Sequence, residues 1–162
     1  MTILNQAVEK VMDLIDALNL FSPIHRGAMK TADDLACEIG PTTPEFVWLN
    51  KHKYIPIDLT INGKHTNLET LTDALNTIDY ALTMATEYPS GDEWQIVDIT
   101  TLTEPQVIGR EDNGQWLMAA ALLVKVATQP PEPAPEETPE ADPEPIPIPE
   151  PDLEDDPAQD GE

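Results

Sequence analysis

The chain has 162 residues, of which 8 are basic and 31 acidic, a formal net charge of −23, and one cysteine. This length allows one domain, or one domain with an appendage. The charge argues against ordinary nucleic-acid binding, which needs clustered Lys and Arg to displace counterions from phosphates, and an anionic membrane surface would repel the chain too.

Residues 2–20 are expected to form an amphipathic helix. Leu4, Val8, Val11, Ile15 and Leu18 recur at spacings of four and three, while Glu9, Lys10, Asp13 and Asp16 fall mostly outside that stripe. Ser22–Pro23 ends the helix, because proline cannot continue the backbone ladder. No basic segment followed by an apolar run opens the chain, so a signal peptide is not expected. Residues 24–32 lack periodicity and include Gly27; they are expected to be loop.

Three short strands are expected next: Asp34–Ile39, with Leu35, Cys37 and Ile39 on one side, then Phe46–Lys51, then Tyr54–Ile61. In the third, Ile55, Ile57, Leu59 and Ile61 alternate with Pro56, Asp58 and Thr60, the period of a half-buried strand. Pro56 has no N–H and suits an edge or a strand start. Asn62–Gly63 predicts a tight turn. A second helix follows, with Thr66 and Glu69 as a capping box and Leu68, Leu71, Leu75, Ile78, Leu82 and Ala85 as its apolar stripe, running to about Glu87. Glu93–Thr101 is expected to be a strand that Pro105–Ile108 continue after a bulge or kink. Asn113–Gly114 predicts a hairpin turn, and Trp116–Ala127 a return strand apolar enough to be central or covered on both faces. The expected fold is α+β: a mostly antiparallel sheet of about five strands packed with two helices, in the order α-β-β-β-α-β-β.

The folded domain is expected to span 1–128 and a disordered acidic tail 129–162. Residues 129–162 hold 13 acidic side chains, 11 of the 17 prolines and no basic residue. Proline blocks helix and ladder formation, like charges favour extension, and too little apolar surface offsets the ordering entropy. An extended polyproline-like segment is the expectation. Ile146, Pro147 and Ile148 are its main apolar feature and a candidate docking motif. Three roles stay open for the tail: a solubilising appendage, a tether docking that motif on a neighbour, or a DNA mimic for a basic surface.

No residues are expected to be catalytic, to bind a cofactor or to hold a metal. His25, His52 and His65 do not sit at metal spacing with one another or with Cys37. Cys37 has no sequence-adjacent base and reads as a small buried apolar side chain; being single, it precludes an intramolecular disulfide and fits a reducing cytosol. Asp33–Asp34 and Asp92–Glu93 are adjacent acids at loop ends, which are usually solvated faces or caps. The seven glycines form no phosphate loop. Trp94 and Trp116 open long strands and look structural. A base-stacking platform would want basic neighbours, which only Trp48 has, near Lys51 and Lys53. The longest apolar run, Trp116–Val124, is far below the ~20 residues that span a bilayer.

One stretch resembles a known family. Leu-Ala-Cys-Glu-Ile-Gly at 35–40, Phe-Val-Trp-Leu-Asn-Lys at 46–51 and Ile-Pro-Ile-Asp-Leu-Thr-Ile-Asn-Gly-Lys-His-Thr-Asn at 55–67, followed by the capped helix, are similar to the small "minor capsid" or tail-terminator proteins of long-tailed (siphovirus) phages of Gram-positive hosts. The order of elements over 1–128 resembles the same family; the acidic tail does not. The resemblance implies a structural virion protein with no enzymatic activity. It implies a homohexameric ring that caps the tail tube, contacts the tube protein and a head-completion or neck protein, and lets DNA pass without specific binding. It implies assembly in the host cytoplasm. Neck, minor capsid and tail-tube proteins of related fold remain alternatives. From another class, so does a soluble, non-enzymatic adaptor whose acidic tail binds a basic partner.

Overall fold

The computed structural model describes residues 1–41, 46–47 and 53–128. Trp48, Lys51 and His52 lie outside the described residues, as does 129–162 with Ile146, Pro147 and Ile148.

Helix α1 spans Ile3–Asp16, with Thr2 accepting the Asn5 N–H at its start. Ala7, Val8, Val11 and Ile15 are buried, as the spacing predicted. The helix stops four residues before the expected position 20. There Leu18 and Asn19 donate to Ile15 and Asp16 carbonyls, tightening the last turn, and Asn19 takes a left-handed φ of 53°. Asn tolerates that conformation better than most residues and so ends helices.

The loop expected at 24–32 contains a strand, β1, Ile24–Arg26. It runs parallel to β2, Asp34–Ile39, with Ile24 opposite Leu35 and Arg26 opposite Cys37. Three residues are too few to show alternation, and this strand exists because β2 supplies its partners. The Ile24 N–H donates to Asp16 Oδ1 at 2.8 Å, which also ties β1 to the end of α1.

Strand β3 is Phe46–Val47 and β4 is Lys53–His65. The expected turn at Asn62–Gly63 is absent: both residues lie inside β4, Asn62 opposite Ala36 and Ala119, Gly63 opposite Leu35 and Met118. Pairing on both sides outweighs the local turn preference. Glycine is needed at 63 for another reason. A Cβ there would lie 2.6 Å from Leu71 Cδ1 and 2.7 Å from Leu75 Cδ1, so the bare backbone lets the second helix approach. Pro56 is not on a sheet edge, yet it lacks nothing. The Asp58 carbonyl accepts from Gly40 on the β2 side, and Pro56, two residues earlier, turns its missing N–H to the same side, past the last β2 pair at Ile39–Leu59.

Helix α2 spans Leu68–Thr83. Its cap is Asn67, whose Oδ1 accepts the Thr70 N–H at 3.2 Å; the Thr66–Glu69 box does not form. The Thr66 N–H is already committed to Asp33 Oδ1, which holds Thr66 outside the helix. The helix ends at Thr83 rather than Glu87, because the Tyr88 hydroxyl donates to the Leu82 carbonyl and folds the chain back toward the sheet.

Strands β5, Trp94–Arg110, and β6, Trp116–Thr128, form a long hairpin. Its turn follows the Asn113–Gly114 signal: Gly114 has φ 89° and donates to the Glu111 carbonyl. The sheet order is β1-β2-β4-β6-β5, with β3 also on β4, and every pairing except β1–β2 is antiparallel. The fold is therefore α+β with a mixed sheet. Both helices contribute to one core with Leu35, Ile57, Leu59, Ile61, Leu122 and Val124 from a single face of that sheet. Strand β6 is central, as expected, but covered on one face only: Leu117, Ala119, Ala121 and Leu123 on the other are half-buried.

Candidate functional site

Buried polar groups gather at one end of the sheet. Asp34, almost wholly buried, accepts from His25 Nε2 and from the Lys30 N–H, each at 2.7 Å. Burial pushes its pKa up, but those two hydrogen bonds and the nearby His25 and Lys30 charges outweigh it and leave the carboxyl below its ordinary value. Asp33 faces other partners: the Thr66 N–H, Gln115 Nε2 at 2.8 Å and His65 Nε2 at 3.4 Å. Lys64 is buried, with its Nζ 2.8 Å from Glu111 Oε1 and 3.2 Å from the Lys30 carbonyl. Its hydrogen bond holds the Glu111 carboxyl below the usual range. These contacts fasten the segment before β2 and the tip of the β5–β6 hairpin to the end of β4. Each of these carboxylates is engaged in holding backbone or side chain in place. A fixed scaffold is what such a network makes.

The residues weighed for chemistry separate accordingly. Cys37 is buried in the core and burial pushes its thiol up, the opposite of what a nucleophile needs. His25 and His65 each join a different aspartate. Asp92 and Glu93 are exposed just before β5, remote in sequence from the other acids considered. Among the described residues no group of three or more His, Cys, Asp or Glu could hold a metal ion, and no helix is long and apolar enough to cross a membrane. An open, mostly polar depression of about 650 Å³ lies between the end of α2 and β5, with Glu87, Tyr88 and Asp98 on its lining. Its Tyr88 hydroxyl is spent on Leu82, and burial raises its pKa.

Of the large apolar side chains exposed among the described residues, Met1 precedes α1, Tyr80 and Met84 lie on and just after α2, and the other four lie on the edge strand. Val97, Leu102, Val107 and Ile108 of β5 are 41, 51, 46 and 62% exposed. The register of β5 on β6 breaks between Ile96 and Asp98, Thr101 and Thr103, Thr103 and Gln106, and Val107 and Gly109. Val97, Leu102 and Ile108 are each the extra residue at one of these breaks. A bulge re-aims its side chain and bends the strand. Those three side chains therefore leave the alternation that buries Ile96, Ile99 and Met118. The bulges, with Pro105 and Glu104, also spoil the regular row of donors and acceptors that a foreign strand could pair with. What remains is a surface suited to side-chain packing rather than to strand addition. The sequence offered a hint only in Pro105, which signalled a break but not which residues it would expose.

No family model matches the chain, and no curated protein matches it. Among solved structures, a chain from the virion of a native gene transfer agent particle shares the fold, with a TM-score of 0.54 at 12% identity, covering 75% of this chain and 92% of that one. At that identity the likeness is one of fold.

Proposed function

We propose that this chain is a structural virion protein of a tailed phage, and within that class the tail terminator, which caps the tail tube as a homohexameric ring and presents the surface the head joins. The observation that carries the reading is the fold shared, over most of both chains, with a component of a gene transfer agent virion. The family resemblance of residues 35–82 points the same way. A ring requires a contact between two different surfaces of one subunit that closes on repetition. A sheet with two open ends and a bulged, apolar edge strand supplies the material. In this reading the tube protein and a head-completion or neck protein are the neighbours, and DNA passes through the ring without specific binding. Residues 1–128 are the folding unit and 129–162 an acidic extension, with Ile146, Pro147 and Ile148 its docking segment for a neighbouring virion protein.

The test is location. A tag at Glu162, detected with gold on purified phage and isolated tails by electron microscopy, is expected at the head-proximal tip of the tail. Label along the tube would make the chain a tube protein, and label on the shell a minor capsid protein. No label on any particle, with the tag shown accessible, would overturn the virion reading and favour a soluble adaptor.

A further inference from the structure

Strands β1 and β5 form the two ends of the sheet path, and their surfaces carry opposite patterns. At the β1 end, Arg26 and Lys30 bracket Ala28 and the half-buried Met29. Both cations are exposed, and neither lies within salt-bridge distance of a carboxylate among the described residues. Among the described residues the Arg26 guanidinium hydrogen-bonds the neutral Asn5 Oδ1, at 3.1 Å from both terminal nitrogens, and the Lys30 charge is felt by Asp34 without an ion pair. Arg110 likewise has no carboxylate partner among the described residues and lies over Trp116 instead, whereas Lys10, Lys64 and Lys125 each have a carboxylate within 3.0, 2.8 and 3.1 Å. At the β5 end the order is reversed: Leu102 on one side and Val107 and Ile108 on the other bracket Glu104, exposed and without a partner among the described residues. One end reads cation, apolar, cation; the other reads apolar, anion, apolar.

We propose that the occupant of the β5 edge is the β1 end of a second copy of this chain. Glu104 of one copy lies between Arg26 and Lys30 of the next, and Leu102, Val107 and Ile108 close over Ala28 and Met29. The contact is made by side chains. The bulges of β5 prevent ladder pairing, and on β1 the Ile24 N–H is already taken by Asp16. Because the two surfaces lie at opposite ends of one sheet, repetition propagates head to tail and closes into a ring when the rotation permits. A patch this size is well short of the ~800 Å² per partner of a stable pair, so two copies alone bind weakly. Closure, which gives every copy two contacts, supplies the rest. Charge complementarity selects the register and disfavours like ends meeting. The proposal names the interface of the ring reading and rests on it.

The test uses the full chain. In an otherwise Cys37→Ala background, Met29→Cys with Val107→Cys is expected to give disulfide-linked multimers under mild oxidation, whereas either cysteine alone gives at most dimers. By analytical ultracentrifugation, Glu104→Lys, or Arg26→Glu with Lys30→Glu, is expected to weaken self-association roughly tenfold or more, from like charges meeting at the rim. Combining the three changes restores it. Unchanged thermal unfolding of each exposed variant shows that folding is intact. Absence of the crosslink, or self-association indifferent to the reversals, overturns the proposal. The gold-label experiment is independent: label at the tail tip with charge-reversed subunits still assembling would sink this interface and leave the virion reading standing.

Discussion

His25 Nε2 donates to Asp34 Oδ2 over 2.7 Å, joining adjacent strands of the sheet by a charge-assisted bond beside the core. Asp34 is held below its ordinary value of 3.8, so its bonds stabilise the fold fully above that pH, and the contribution is lost as the pH falls through the lower folded value. Asp34→Asn is expected to lose roughly 1–3 kcal/mol at neutral pH, because it weakens a buried acceptor that serves two part-buried donors. Its stability should also fall less steeply than the wild type's on acidification below 3.8. Urea unfolding as a function of pH reads both effects.

The Lys64–Glu111 pair makes a spectroscopic prediction. With Lys64→Met, the Glu111 carboxyl loses the hydrogen bond that holds it down and titrates closer to 4.5. The acid-side stability that its depressed value supplies should disappear with it. Carboxyl titration by NMR checks the shift, and an unmoved Glu111 would mean that the pair is not formed in solution.

Gly63→Ala tests why a glycine interrupts the apolar register of β4. The new methyl would meet Leu71 Cδ1 at 2.6 Å and Leu75 Cδ1 at 2.7 Å, so those leucines must repack in a filled core. Overpacking of this kind typically costs about 1–3 kcal/mol. A thermal midpoint equal to the wild type's would refute the close approach.

The helix cap can be assigned by comparing neighbours. Asn67→Ala removes the acceptor for the Thr70 N–H and is expected to cost about 1 kcal/mol. Thr66→Ala should be nearly silent, since Thr66 contributes its backbone N–H to Asp33 and not its hydroxyl to the cap. Equal losses at the two positions would count against Asn67 as the cap.

Periodicity made α1, α2 and the alternation of Ile55–Ile61 readable, because each signal is carried by one element and repeated several times along it. The β5–β6 hairpin was readable for a different reason: Asn113–Gly114 meets its backbone requirement locally, with Gly114 at positive φ. The same dipeptide misled at Asn62–Gly63, where pairing to β2 and β6 and the packing of Leu71 and Leu75 decide the conformation. Strand β1 escaped because its cause is not local: its pairing partners lie eleven residues further along the chain. The apolar edge escaped because Val97, Leu102 and Ile108 are exposed by breaks in register, and a break belongs to two strands together. In a regular strand Val97 and Ile99 would share a face; the bulge at Ile96–Asp98 exposes the first and buries the second.

The strand order also sets a timetable. Strand β4 pairs along its whole length with β6, yet α2 and β5 lie between them in the chain. From chain order, Leu122, Val124 and Val126 are expected to enter the core last, leaving Ile57, Leu59 and Ile61 until then on a strand with one side open. Helix α2 can form early from local contacts, but closure waits for a loop of some fifty residues to be searched, which places folding among the slower, sheet-limited cases. During that wait the unpaired side of β4 is the segment most open to capture by another unfinished copy. Pulse-labelled hydrogen exchange should find the amides shared by β4 and β6 protected together and after those of α2.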